Sequence, residues 1–201
     1  MKIVGMDRNT AWITVTEFVK DNGLRRHMLA VEAAMRFYAR KLEHDVDQWG
    51  VVGLLHDFDW EIHPTLEQHP KDGVPILRER GLDDESANAI LSHNTGGTGV
   101  EREKPIDYAL LACDEITGLM IALALVRPSK DIREMAIKSV KKKWKDKAFA
   151  AGVPRDHVQE ATEDFSRVCF DGKLELWEHG ANVLEAMKDA AEALELDGRL
   201  V

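Results

Sequence analysis

The chain has 201 residues and a mass of 22.7 kDa, enough for one domain, or one domain with a small appendage, that buries roughly 70% of its unfolded surface. Hydrophobic residues are 44% and charged residues 31%, which excludes a disordered chain, and two cysteines, Cys113 and Cys169, exclude a disulfide scaffold and a four-cysteine zinc site. The start, MKIVGMDRNTAW, has no apolar secretory core, so a reducing, cytoplasmic setting is expected, and a net charge of −9 excludes extended nucleic acid and anionic membrane as general partners.

The predicted elements are helices throughout. Leu24, Met28, Val31, Met35, Tyr38 and Leu42 keep helical spacing over 24–42. Asp47 is a candidate cap for a second helix running through Trp49, Val51, Val52, Leu54 and Leu55 to about Phe58. Pro64 and Pro70 bracket a loop, and 74–80 is a short helix stopped by Gly81. Asp83 or Asp84 caps the next helix, which ends at His93, and NTGGTG at 94–99 reads as a flexible loop. A long helix follows Pro105 and runs to about Val126, ahead of Pro128. Ile132, Ala136, Val140 and Trp144 step by four along another helix. Beyond Gly152 and Pro154, two more helices are expected at 156–169 and 173–195. No sustained period-two run or hairpin signal appears, so the fold class is all-α. Residues 1–150 are expected to form the main domain, and 151–201 a helical appendage or a further part of it.

The segment 109–126 is apolar and near the lower length limit for a membrane span. It carries Asp114 and Glu115, each costing about 2.5–3.5 kcal/mol on insertion scales. A buried core helix with a working carboxylate is the expectation.

His56 and Asp57 end the very apolar run GVVGLLHD. Burying an imidazole and a carboxylate without partners costs roughly 1–3 kcal/mol for each unsatisfied group. Metal coordination is one solution; a capping Asp beside a hydrogen-bonded His is the other. His27 lies on the apolar side of its helix, His69 precedes a proline, His93 ends the apolar run AILSH, and Asp114 sits in the middle of an apolar helix. Each alone reads as a satisfied core or cap residue. Together, within about 90 residues, they suit a site with four to six N and O ligands for a divalent Mn, Fe, Zn, Ni or Mg ion.

The order His27, then His56-Asp57, then Asp114 resembles the HD-domain superfamily of metal-dependent phosphohydrolases, over roughly residues 24–120. GLLHDFDW at 53–60 is similar to the family's His-Asp helix end, and LLACDEITGL at 110–119 to the helix with its last Asp. HPKDGVPIL at 69–77 and AILSH at 89–93 resemble the extra-histidine segments of bimetallic members such as the HD-GYP group. The resemblance implies His27, His56, Asp57 and Asp114 as core metal ligands. It implies a second metal on His69 and His93, bridged by Asp57. The sequence departs from the pattern at Asn94, where bimetallic HD-GYP members have a second His. It has Asp59 where a Lys often follows the His-Asp pair, and it lacks the GYP element, so cyclic-di-GMP hydrolysis is not implied.

The activity implied is metal-assisted hydrolysis of a phosphate ester, with a nucleotide among the candidates. Asp57 would position water or bridge metals, and Asp59 would accept a histidine N–H, shuttle a proton, or be solvated. Six ligands also resemble the HD-type di-iron oxygenases, and a regulatory or binding HD domain is a third alternative.

One charge feature stands apart. Between Arg127 and Lys147, nine basic residues face three acidic ones, giving +6 there and −15 elsewhere. A small anionic ligand or a solvated helix face would each account for it. Arg127, Lys130, Lys138 and Lys142 are the candidate phosphate-binding residues, with Trp144 beside them. Arg127 would lie roughly 20 Å along the helix axis from Asp114, so it reaches the site only if the chain turns back at Pro128. The partners expected are a small phosphate-bearing substrate and, compatibly, further copies of the chain.

Overall fold

The structure is a computed structural model that describes residues 5–200. Among these residues there are ten α-helices, one 3-10 helix and no strand, an all-α fold. The helices are α1 (Arg8–Phe18), α2 (Asn22–Lys41), α3 (Val46–Leu55), α4 (Val74–Glu79), α5 (Asp84–Ser92), α6 (Thr95–Thr98), α7 (Pro105–Leu125), α8 (Ile137–Trp144), α9 (Arg155–Cys169) and α10 (Leu176–Asp189). The 3-10 turn is Ile132–Glu134.

α2 forms where its spacing predicts. The Asp21 carboxylate caps it by accepting from Leu24 N at 2.7 Å, and Arg40 and Lys41 complement the dipole in its last turn. Its buried stripe includes Met28, Val31, Met35 and Tyr38. α3 is capped by Asp45, which accepts from the N–H groups of Asp47 and Gln48, and not by Asp47. Asp47 sits one residue too far in and pairs instead with Arg36 at 2.9 Å. α3 is buried continuously from Trp49 to Leu55, and the chain leaves the helix there rather than at Phe58. Gly53 lets α2 and α3 meet: a Cβ there would come within 3.0 Å of Glu32 N and the Val31 carbonyl carbon.

α7 is the central helix. By length and composition it is apolar enough to cross a membrane, yet it packs against α2, α3, α5, α8, α9 and α10. Leu110, Ile116, Leu119 and Met120 are fully buried along it, each worth roughly 1.5–3 kcal/mol relative to exposure. α9 packs on α7, and α10 on α2 and α7, and their buried residues Phe165, Val183 and Met187 join the same core. Within it His179 sits between the Tyr38 hydroxyl at 2.7 Å and the Ala112 carbonyl at 2.9 Å.

Four elements differ from the spacing-based expectation. α1 is not among the predicted elements: its run Ile13, Thr14, Val15, Thr16 is β-branched and of low helix propensity. It is held by the Asp7 cap and by Arg8 on the buried Glu32 at 2.6 Å. The step-by-four run from Ile132 is split: Ile132 belongs to the 3-10 turn, Ala136 is an N-cap, and α8 begins at Ile137. The C-terminal tail causes this, since Ile132 N donates to Leu196 O at 2.8 Å and Asp131 bridges Asp197. The last long helix, expected over 173–195, spans only Leu176–Asp189. NTGGTG is not a plain loop: Asn94 caps the short α6 by accepting from Gly97 N at 3.1 Å.

Candidate metal centre

His27 comes from α2, His56 and Asp57 from the end of α3, His69 from the turns before α4, His93 from the end of α5 and Asp114 from α7. The fold brings all six together. His27 Nε2 is 3.2 Å from His56 Nε2 and 2.9 Å from Asp114 Oδ1. Asp57 Oδ2 lies 3.6 Å from His27 Nε2 and 3.4 Å from His56 Nε2. Its other oxygen, Oδ1, lies 3.2 Å from His69 Nε2 and 3.7 Å from His93 Nε2, and those two nitrogens are 3.0 Å apart. Asp57 therefore faces one ligand group with each oxygen.

The opposite nitrogen of each ring is committed. His56 Nδ1 donates to Gly53 O at 2.8 Å, His93 Nδ1 to Ile90 O, and His69 Nδ1 to Asp59 Oδ1 at 2.8 Å. The Thr117 hydroxyl donates to Asp114 O at 2.9 Å, so it accepts from His27 Nδ1 at 3.2 Å. In that tautomer each ring turns its Nε2 toward the centre, where it offers a lone pair to a metal. Nε2 atoms 3.0–3.2 Å apart need a proton or a metal cation between them. Two donors about 2.1 Å from one ion and at right angles to each other lie about 3.0 Å apart. The donor set of four imidazoles and two carboxylates fits divalent cations, in the two groups His27, His56, Asp57 and Asp57, His69, His93, with Asp114 closing the first.

The local field favours positive charge. Burial opposes protonation of His56, but Asp57 and Asp114 override it and hold the imidazole well above the usual histidine range. His69, likewise against burial, is lifted to about 9 by Asp57 and Asp59. Asp57 is held well below the carboxylate range despite its burial, chiefly by His56. Protons and metal compete for the same Nε2 atoms in such a site.

Asp59 is not solvated; it is fully buried. Its Oδ1 orients His69, while Oδ2 has no hydrogen-bond partner among the described residues. Gly73 makes room for it, since a Cβ at that position would collide with the Asp59 carboxylate. Asn94 is a clamp: its Nδ2 donates to Leu66 O at 2.7 Å and His69 O at 2.6 Å. It supports the loop that carries His69.

Above the centre is a cleft of about 550 Å³, lined from the loop by Trp60 and Leu66 and from α7 by Leu111, Asp114 and Glu115. The wall from α9 is His157, Glu160, Ala161 and Asp164, one helical stripe at i, i+3, i+4, i+7. Burial and the Asp114 charge push the Glu115 carboxyl up to about 7.

The structure does not bring Arg127, Lys130, Lys138 or Lys142 to this cleft. α7 continues past Asp114 to Leu125, and the chain then docks on the C-terminal tail instead of turning back. Arg127 approaches Glu134 at 3.5 Å, and Lys130 Nζ donates to Leu200 O at 2.7 Å. Lys138 and Lys142 are exposed on α8, and Trp144 packs edge-on against Trp177. Among the described residues, the permanent cation lining the cleft is Arg102, whose Nη1 is anchored on Ser92 O at 2.9 Å and Thr95 Oγ1 at 3.1 Å. Arg102, Glu115 and the α9 stripe carry no spacing signal in the sequence; only the folded cleft groups them.

No curated protein and no solved structure matches the chain. Residues 24–117 match the family model of the HD domain, a segment that starts just before His27 and ends just after Asp114. All six candidate ligands lie inside it. Residues 24–117 of the chain therefore form an HD domain.

Proposed function

We propose that the chain hydrolyses a small phosphate ester with one or two divalent metal ions held by His27, His56, Asp57, His69, His93 and Asp114. The observation that carries this reading is the pair of ligand groups sharing Asp57 at the floor of an open cleft. Bound there, a divalent cation supplies Lewis acidity, making a water nucleophilic near neutral pH and neutralising charge on phosphoryl oxygens. The chain's own groups do the rest. Asp57 fixes the two ligand groups at one separation. Asp59 keeps the His69 Nδ1–H engaged so that Nε2 faces the centre. Arg102 offers charge-assisted hydrogen bonds to a peripheral phosphoryl oxygen. Two free cysteines support a cytoplasmic setting.

The test is elemental analysis of the purified protein, followed by phosphomonoesters, nucleotides and cyclic dinucleotides with Mn, Fe, Mg, Ni or Zn added. Phosphate release that depends on metal and disappears in Asp57→Ala is the expected result. Retained metal with no turnover of any phosphate ester would reject it, in favour of a binding or regulatory role. The six-donor set with a shared carboxylate also favours a second reading, a di-iron oxygenase. That reading predicts bound iron with a mixed-valent signal and dioxygen consumption without phosphate release.

A further inference from the structure

We propose that His157 is the general acid that protonates the leaving oxygen, so that the catalytic set is completed by a helix outside the matched segment. The proposal rests on the phosphate-ester hydrolysis inferred above. Among the cleft-lining residues, three are imidazoles: His69, His93 and His157. The first two turn Nε2 toward Asp57 and belong to the metal centre. Arg102 cannot release a proton at any working pH. His157 is the imidazole left over, and imidazole is the side chain best suited to give a proton near neutrality.

Its surroundings fit the role. His157 stands on the α9 stripe, with Nδ1 4.0 Å from Glu115 Oε1, and Glu115 follows the metal ligand Asp114 on α7. The Glu115 carboxyl lies on the Nδ1 side of the ring, and Nε2 is assigned to the substrate. The ring is two-thirds exposed, so it is recharged readily from solvent. In the step assigned to it, a water oxygen forms a bond to phosphorus and the ester P–O bond breaks. The electron pair of that bond stays on the leaving oxygen, which takes the proton from His157 Nε2. The attacking water gives its proton to solvent, and solvent recharges His157.

The discriminating variable is the leaving group. An acidic phenol leaves as its anion with little help, whereas an alcohol needs the proton. His157→Gln is to be compared with the unaltered protein on p-nitrophenyl phosphate and on benzyl phosphate, with metal content and thermal melting measured on both proteins. The expected result is a loss of roughly 10²–10⁴-fold in kcat/KM on benzyl phosphate, under tenfold on p-nitrophenyl phosphate, and unchanged metal content and melting. Equal losses on the two esters would assign His157 to binding or structure and overturn the proposal, as would no loss on either. No turnover of either ester by the unaltered, metal-loaded protein would overturn the hydrolase reading itself, and the general acid with it.

Discussion

The ligands of the centre are placed by two different means. His27 and Asp114 stand on α2 and α7, and His56 and His93 close α3 and α5, so packing of those helices fixes their positions. His69 stands in turns between α3 and α4, and its place depends on side chains: Asp59 on its Nδ1, Asn94 on its carbonyl, and Gly73 leaving space for Asp59. A site on helices is specified by hydrophobic spacing, whereas a site on turns needs polar supports that spacing does not encode.

The largest effect expected is from Asp57→Ala, which removes the one residue common to both groups. Metal content should fall to background by elemental analysis, with the circular dichroism of a helical protein retained. Asp59→Ala should split the groups. It leaves His27, His56 and Asp114 untouched and frees the His69 ring, so one metal is expected to weaken by about 10–100-fold while the other stays. Titration with a chelator would register this as two separated steps; simultaneous loss would mean that the groups are not independent.

Much of this contrast is legible in the sequence. The helix-borne ligands and the fold class follow from apolar spacing, and the His56-Asp57 pair from the cost of leaving it unpartnered at the end of an apolar run. Asp59 was readable as an acceptor but not as a buried one, because two residues beyond the helix end the chain direction depends on turns. Asn94 reads as a missing ligand and is a support. The basic stretch misleads because charge density says nothing of direction: Lys130 holds the tail, and Lys138 and Lys142 on α8 are exposed.

A smaller effect separates the core from the centre. Burial pushes the His179 imidazole down to about 4, whereas in the unfolded chain it titrates near 6.5. A depressed histidine contributes stability that is complete above about pH 6.5. That stability is lost as pH falls toward 4, by up to about 1.4 kcal/mol per pH unit. Melting temperatures measured across this window should fall, and fall less steeply in His179→Gln. Acid-driven metal loss is common to both proteins and cancels in the comparison. Equal slopes would place the acid sensitivity elsewhere.

The smallest effect expected is from the double variant Lys138→Ala, Lys142→Ala. With both side chains on the solvent face of α8, kcat/KM for any phosphate substrate should change less than about twofold, within the scatter of exposed charges. A tenfold rise in KM would return these lysines to the substrate's path.

One contact beside the centre bears on when the site can form. Arg26, the residue before His27, is pinned by its Nε to the Leu194 carbonyl at 2.7 Å and by Nη2 to Glu195 at 3.1 Å. The ligands end at Asp114, but this anchor lies 168 residues along the chain from Arg26. A nascent chain thus displays all six donors on the ribosome well before the residue that steadies α2 has been synthesised. Early metal capture would meet an unanchored His27, and a chain cut short of residue 194 would keep every ligand while losing that anchor.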